Sequence, residues 1–105
     1  MASGTIQKPT PRLEYEGDHG SIYDTWTAPY DGIAVAVAGF NSTGSSGRWY
    51  INDTTDNFWV ACLSTRQTNG NALSCSFPII KGHTYDMTAG VASLSWVNLQ
   101  CYKFV

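Results

Sequence analysis

The sequence predicts an all-β chain, an antiparallel β-sandwich of the jelly-roll type with about eight short strands. Apolar residues alternate with period two, and Gly, Asn and Pro turn signals separate the alternating stretches. No window carries the i, i+3, i+4 apolar repeat of a helix. With 105 residues, the chain is expected to form one domain over residues 13–105, after a linker over residues 1–12.

The turn signals divide the domain into its expected strands. These strands cover residues 13–23, 24–28, 33–39, 48–51, 58–63, 73–77, 84–88 and 92–105. Three polar loops, at residues 40–47, 52–57 and 66–71, separate them. Glu14, Glu16 and Asp18 would share one face of the first strand, which suggests an exposed acidic face or, alternatively, a calcium site.

Two of the expected strands are apolar on both faces. In the strand over residues 33–39, Ile33, Val35 and Val37 alternate with alanines, so something should pack closely against the small alanine face. The strand over residues 92–105 is also apolar on both sides, and only one of them can face the core of a single sandwich. The other should meet another chain. The interface candidates are Trp96, Val97, Leu99, Tyr102 and Phe104.

The charge content also indicates an interface. Only 13% of the residues are charged, against about 25% in an ordinary soluble domain, while 43% are hydrophobic. The net charge is −2 and no run of Lys or Arg occurs, so neither nucleic acid nor insertion into a membrane is expected. The longest apolar run, residues 32–40, is too short to span a bilayer.

No catalytic, cofactor or metal motif is found in the sequence. His19 and His83 lack the spaced partners of a zinc site, and His83 is expected to be exposed on a strand beside Lys81. No nucleophile elbow or phosphate-binding loop is present, so we expect no enzyme activity, no cofactor and no metal. The three cysteines are interpreted as small buried thiols, with one disulfide and a spare thiol as the alternative.

The aromatic residues and the polar loops supply the candidate binding residues. Trp49 and Tyr50 are neighbours on one strand, so their side chains point to opposite faces and one of them should lie outside the core. Exposed aromatic rings beside Asn, Ser and Arg loops suit stacking on sugars. The candidates for contact with a receptor or glycan are Asn41, Ser45, Arg48, Trp49, Tyr50, Asp53, Trp59, Arg66 and Asn69.

Two turn motifs carry a resemblance to a known class of proteins. Thr27-Ala-Pro-Tyr-Asp-Gly32 enters one strand, and Pro78-Ile-Ile-Lys-Gly-His-Thr-Tyr85 enters another. Together with the aromatic final strand, they resemble the C-terminal head domains of bacteriophage tail fibres. The resemblance covers roughly residues 25–105. It implies a homotrimeric jelly-roll tip of the virion, assembled in the host cytoplasm, that attaches to a bacterial surface glycan or outer-membrane protein.

Two other functions are open at this point. A monomeric carbohydrate-binding module of a larger enzyme would present an exposed aromatic platform and would not oligomerise. A structural decoration domain of a virion would form a stable oligomer without binding cells. The long acidic segment before Trp26 and the three cysteines depart from the fibre-head pattern, although free thiols suit assembly in a reducing cytoplasm.

Overall fold

The computed structural model describes residues 12–40, 47–65, 72–90 and 94–105. These residues form eight antiparallel strands in two sheets, consistent with a β-sandwich, so the predicted all-β class is confirmed. The strands are β1 (Leu13–Asp18), β2 (Asp24–Thr27), β3 (Gly32–Phe40), β4 (Gly47–Asp53), β5 (Phe58–Thr65), β6 (Ala72–Ile79), β7 (Thr84–Ala89) and β8 (Leu94–Phe104).

The strand order follows one simple rule. Sheet A has the order β1-β8-β3-β6 and sheet B has the order β2-β7-β4-β5. The first strand therefore pairs with the last, β2 with β7, β3 with β6, and β4 with β5. This is the pairing of one long hairpin, with β1–β4 as one arm and β5–β8 as the other. Each sheet takes two strands from each arm. As a result, β8 lies in the middle of sheet A, between β1 and β3.

The core lies between the two sheets and combines small with large side chains. The alternation predicted for β3 is present, and its alanine face is the one that points into the core, whereas Ile33, Val35 and Val37 are half-buried on the outside. Small residues on β3 leave room for bulky residues of sheet B. The largest fully buried side chains include Trp49, Tyr85, Ile51, Ile79, Met87 and Leu99.

The two turn motifs form a single corner of the sandwich, although about fifty residues separate them. Ala28 donates its N–H to the carbonyl of His83 at 2.9 Å, and Gly82 donates to the carbonyl of Ala28 at 2.8 Å. The carboxylate of Asp31 accepts the N–H of Lys81 at 2.8 Å. Gly82 has a φ of 84°, which favours glycine at the third position of this turn. The hydrogen bonds between the two turn motifs therefore stabilise this corner of the sandwich.

Candidate functional site

The outer face of sheet B is mainly polar. Thr27 and Thr84 share a hydrogen bond of 2.9 Å, and Thr25 donates to Asp86 at 3.1 Å across the same strand pair. On the neighbouring strand β4, Arg48, Tyr50 and Asn52 point outward, because Trp49, Ile51 and Asp53 between them are buried. The aromatic side chains of this face therefore stand next to hydroxyl, amide and carboxyl groups.

A β-bulge at Val60 decides where Trp59 points. Ile51 pairs with Ala61, but the next residue, Asn52, pairs with Trp59, so Val60 is an extra residue in β5. In a regular ladder Asn52 would face Val60, and Trp59 would turn towards the core. Regular alternation along residues 58–63 would predict Phe58, Val60 and Cys62 on one face and Trp59 on the other, and the bulge breaks this alternation. The bulge places Trp59 on the outer face of sheet B.

Three of the predicted binding residues come together beside this bulge. The rings of Tyr50 and Trp59 are 5.3 Å apart between centroids, at an interplanar angle of 54°. Arg48 donates from Nη1 to the Tyr50 hydroxyl at 2.8 Å, and this hydrogen bond raises the pKa of Arg48 above its ordinary value. Trp59 is 61% exposed. Arg48, Tyr50 and Trp59 form the aromatic platform, with Cys62 beside the two rings.

A groove of about 260 Å³ continues from the aromatic platform on the other side of Trp59. It runs between β5 and β6, which are edge strands of the two sheets. Phe58 and Ile80 stand exposed on its walls. The lining also includes Asp53, Val60, Ser76, Phe77 and Pro78. Trp59 therefore belongs to two adjoining surfaces, a fact that strand alternation could not predict because the bulge creates it.

Two of the predicted binding residues are corrected by the structure. Trp49 is fully buried in the core, where its indole N–H donates to the carbonyl of Ser21 at 3.1 Å, so its ring cannot stack on a ligand. Asp53 is only 1% exposed because its carboxylate is held inside the β4–β5 turn. Asn41, Ser45, Arg66 and Asn69 lie outside the described residues.

His83 also differs from its prediction as an exposed strand residue. Its side chain is 17% exposed, and its Nδ1 lies 2.8 Å from Oδ2 of Asp53. Burial by itself would raise the pKa of Asp53, but hydrogen bonds from His83 and from the N–H groups of Asp56 and Thr55 together hold that pKa below its ordinary value. The hydrogen bond to Asp53 raises the pKa of His83, against a smaller opposing effect of burial.

The acidic residues of the first strand do not form one face. β1 carries a bulge between Tyr15 and Gly17, which leaves Glu16 out of the ladder. Asp18 turns back to accept the N–H of Leu99 at 2.7 Å. Within the described ranges, the group of side chains close enough to share a metal ion is Asp53, Asp56 and His83 rather than this acidic segment.

The three cysteines are all free thiols, but they are not all buried. Cys101 lies fully inside the core, and its burial raises its pKa to about 12. Cys75 is half-buried, whereas Cys62 is exposed beside Tyr50 and Trp59. The interpretation of small buried thiols is therefore wrong for Cys62, which points outward because it pairs with Tyr50 across the strands.

The interface candidates of β8 divide between its two faces. Trp96 and Phe104 are 45% and 43% exposed on the outer face of sheet A, where Tyr102 lies half-buried with its ring 5.5 Å from that of Tyr15. Leu99 is completely buried and Val97 packs against the core, so both are corrected from interface to core residues.

The outer face of sheet A contains more apolar surface than was predicted. Leu13 and Tyr15 of β1 pair with Phe104 and Tyr102, and they are 48% and 57% exposed. A Cβ atom at Gly39 would overlap the indole of Trp96, so this ring lies over the glycine backbone. Apolar side chains therefore run across three neighbouring strands of this sheet.

Comparisons with protein-family models, with curated proteins and with solved structures give no match. Over the described ranges, no helix is long and apolar enough to cross a membrane. Any function for the chain must therefore be argued from its own surfaces, of which the aromatic platform and the outer face of sheet A are the most distinctive.

Proposed function

We propose that this chain is the receptor-binding head of a bacteriophage tail fibre, a non-enzymatic homotrimer that attaches the virion to a bacterial surface glycan. The observation that supports this most directly is the aromatic platform, in which the exposed ring of Trp59 and the half-buried ring of Tyr50 stand beside a hydrogen-bonded guanidinium. Aromatic rings contribute flat apolar area at low entropic cost, while Arg and hydroxyl groups supply hydrogen bonds. Sugars present the same combination of apolar faces and hydroxyl groups.

The strand pairing supports the jelly-roll part of the proposal. Eight strands that pair first with last, second with seventh, and so on inward are those of a hairpin rolled into two sheets. Jelly rolls of this kind occur in viral capsid and lectin domains. The three free cysteines favour assembly in a reducing host cytoplasm.

The outer face of sheet A supports the trimer. Exposed apolar side chains from β1 and β8 adjoin the half-buried Ile33, Val35 and Val37 of β3. Monomeric proteins seldom leave large contiguous apolar patches in water, and such patches commonly mark interfaces. A monomeric carbohydrate-binding module would share the aromatic platform but would leave this face uncovered. Trimerisation would also multiply weak glycan contacts into a strong attachment.

Two measurements test the proposal. Light scattering of the purified chain should give a mass near 34.5 kDa, three times the chain mass of 11.5 kDa. Trp59→Ala should weaken binding to an array of bacterial lipopolysaccharide and capsular glycans by about 2- to 12-fold per site, the equivalent of 0.5–1.5 kcal/mol for one aromatic contact.

The matched control is Thr25→Ala, on β2 at the opposite edge of the same outer face. It should leave glycan binding unchanged. A mass of 11.5 kDa at every concentration would exclude the trimer and favour the monomeric module. An absence of binding to any glycan or bacterial cell, together with a stable trimer, would favour a structural decoration domain instead.

A further inference from the structure

Two turns of the molecule meet at one end of the sandwich. The β4–β5 turn covers residues 54–57, and the turn between β6 and β7 carries His83. Two hydrogen bonds connect the β4–β5 turn to Thr84, the first residue of β7: the N–H of Thr54 donates to the carbonyl of Thr84 at 2.9 Å, and the N–H of Thr84 donates to the hydroxyl of Thr55 at 3.0 Å. Side chains on the two turns are therefore held at a fixed separation.

Three potential metal ligands converge between these turns. Oδ2 of Asp53 lies 2.8 Å from Nδ1 of His83, and Oδ2 of Asp56 lies 3.8 Å from the same nitrogen. All three ligand atoms lie within 4.8 Å of one another. Ligands of a tetrahedral zinc ion with bonds of 2.0–2.1 Å are about 3.3 Å apart. The two separations from Nδ1 of His83 therefore need to change by about half an ångström, and that between the two carboxylates by at most about 1.5 Å.

The central ligand is already oriented by its surroundings. Asp53 is 1% exposed, and its Oδ1 accepts the N–H groups of Thr55 and Asp56 at 3.0 and 3.2 Å. These two bonds fix the carboxylate so that Oδ2 points at His83. Hydrogen bonds from the surroundings position the ligands of metal sites in the same way. Asp56, by contrast, is 52% exposed, which leaves the open side of the group accessible to an ion.

The net charge of Asp53, Asp56 and His83 is negative, which favours the binding of a cation. Two carboxylates face one imidazole, so even a protonated His83 leaves one negative charge uncompensated. The proton on Nδ1 of His83 is directed to Asp53. The 3.8 Å between the same Nδ1 and Oδ2 of Asp56 is too long for a second hydrogen bond. A divalent ion replacing that proton would neutralise both carboxylates at once.

We infer that Asp53, Asp56 and His83 form a binding site for a divalent transition metal ion such as Zn²⁺, which joins the β4–β5 turn to the turn between β6 and β7. One nitrogen and two oxygen donors suit zinc, whereas Ca²⁺ and Mg²⁺ prefer oxygen donors alone. The inference is independent of the proposed receptor-binding function. It revises the sequence-based expectation that the chain has no metal site.

The test is the unfolding temperature of the purified chain after treatment with a chelator, with Zn²⁺, Ca²⁺ or Mg²⁺ then added. Zn²⁺ at ten times its Kd should raise that temperature by at least about 5 °C, and Ca²⁺ and Mg²⁺ should have little effect. Asp56→Asn should abolish the rise, because it removes one ligand while the backbone bond to Asp53 remains. His83→Gln should abolish it as well.

Two controls make the result specific. Asp24→Asn changes an exposed carboxylate on β2 that pairs with Met87 and is not part of the Asp53–Asp56–His83 group, and should keep the full response to zinc. Cys62→Ser removes the exposed thiol, which is itself a zinc ligand type, and should also keep it. X-ray absorption of the bound zinc should show ligands at about 2.0–2.1 Å and no sulfur at about 2.3 Å.

Three outcomes would overturn the inference: no zinc response in the unaltered chain, an equal response in Asp56→Asn, or loss of the response in Cys62→Ser. If His83→Gln fails to fold, the Asp56→Asn variant decides alone, since its side chain is exposed and takes no part in the Asp53–His83 hydrogen bond.

Discussion

The outer faces of the two sheets expose aromatic side chains in opposite chemical settings. On sheet A, Phe104 stands beside Leu13 and close to Tyr15, and Trp96 lies over Gly39 near the other end of β8. On sheet B, Trp59 stands beside an arginine and a tyrosine hydroxyl, and the adjoining strands carry paired threonines. The half-buried Asn98 and Gln100 are the main polar residues of β8 on the outer face of sheet A.

This difference shows why counting exposed aromatic residues is not enough to assign a surface. The outer face of sheet A exposes large apolar side chains, and the polar Asn98 and Gln100 of β8 are half-buried between them, so this face is best covered by another protein surface. The Tyr50–Trp59 pair has the Arg48 guanidinium hydrogen-bonded to it, so a sugar that stacks on these rings also meets a hydrogen-bonding group. In the proposed function, the same residue types therefore serve two purposes, subunit association on sheet A and glycan binding on sheet B.

The largest expected effect is on the free energy of unfolding, when a tryptophan on the inner face of sheet B is compared with one on its outer face. Trp49→Ala removes a fully buried indole and should lower the free energy of unfolding by about 3–5 kcal/mol. Trp59→Ala, ten residues away on the outer face, should change it by less than about 1 kcal/mol. Urea denaturation measures both values. Equal costs would mean that Trp59 belongs to the core, and the aromatic platform would not exist.

The next prediction separates the outer faces directly. Phe104→Glu places a charge on the outer face of sheet A and should reduce the solution mass from near 34.5 kDa to 11.5 kDa. Burying that charge at an interface without a partner is costly. Trp59→Glu makes the same kind of change on sheet B and should leave the mass unchanged. A reversed result would assign the subunit interface to sheet B.

The exposed thiol gives a probe of the aromatic platform. Cys62 should react quickly with a thiol reagent at pH 8, while Cys101 should stay unmodified in the folded chain, because it is buried and burial raises its pKa to about 12. A glycan that covers Tyr50 and Trp59 should slow the labelling of Cys62 about threefold at twice its Kd. Unchanged labelling would show that the glycan binds elsewhere.

The smallest effect concerns the bond between Arg48 and Tyr50. Tyr50→Phe keeps the ring beside Trp59 but removes the hydroxyl that holds the guanidinium. Glycan affinity should fall about two- to threefold, because exposed charged contacts contribute only about 0.5 kcal/mol. Titration calorimetry with the best glycan of the array measures this change. A loss as large as that of Trp59→Ala would mean that the hydroxyl itself contacts the sugar.

The sequence predicted the strands well because their alternation is local. It also placed Trp49 and Tyr50 on opposite faces, and the structure confirms this. It could not predict which apolar face of β8 is buried, since that depends on the strands packed against it. Leu99 faces the core together with the alanines of β3, and Trp96 does not.

The position of Trp59 on the outer face could not be predicted reliably from the sequence. A bulge is a property of two paired strands, so the extra residue at Val60 becomes visible only when β4 is aligned with β5. The hydrogen bond between Asp53 and His83 joins residues thirty positions apart, and no spacing rule connects them. The turn motifs were recognised as turns, but their mutual hydrogen bonds depend on the fold.

The central place of β8 in sheet A has a consequence for synthesis on the ribosome. β1 and β3 are not sheet neighbours: each pairs with β8, which comes after the other seven described strands in the chain. Sheet A therefore cannot close while the domain is still emerging, and pairing strands so far apart along the chain makes folding slow. Because the apolar outer face of sheet A includes β8, a nascent chain that still lacks β8 also lacks part of the surface proposed for association.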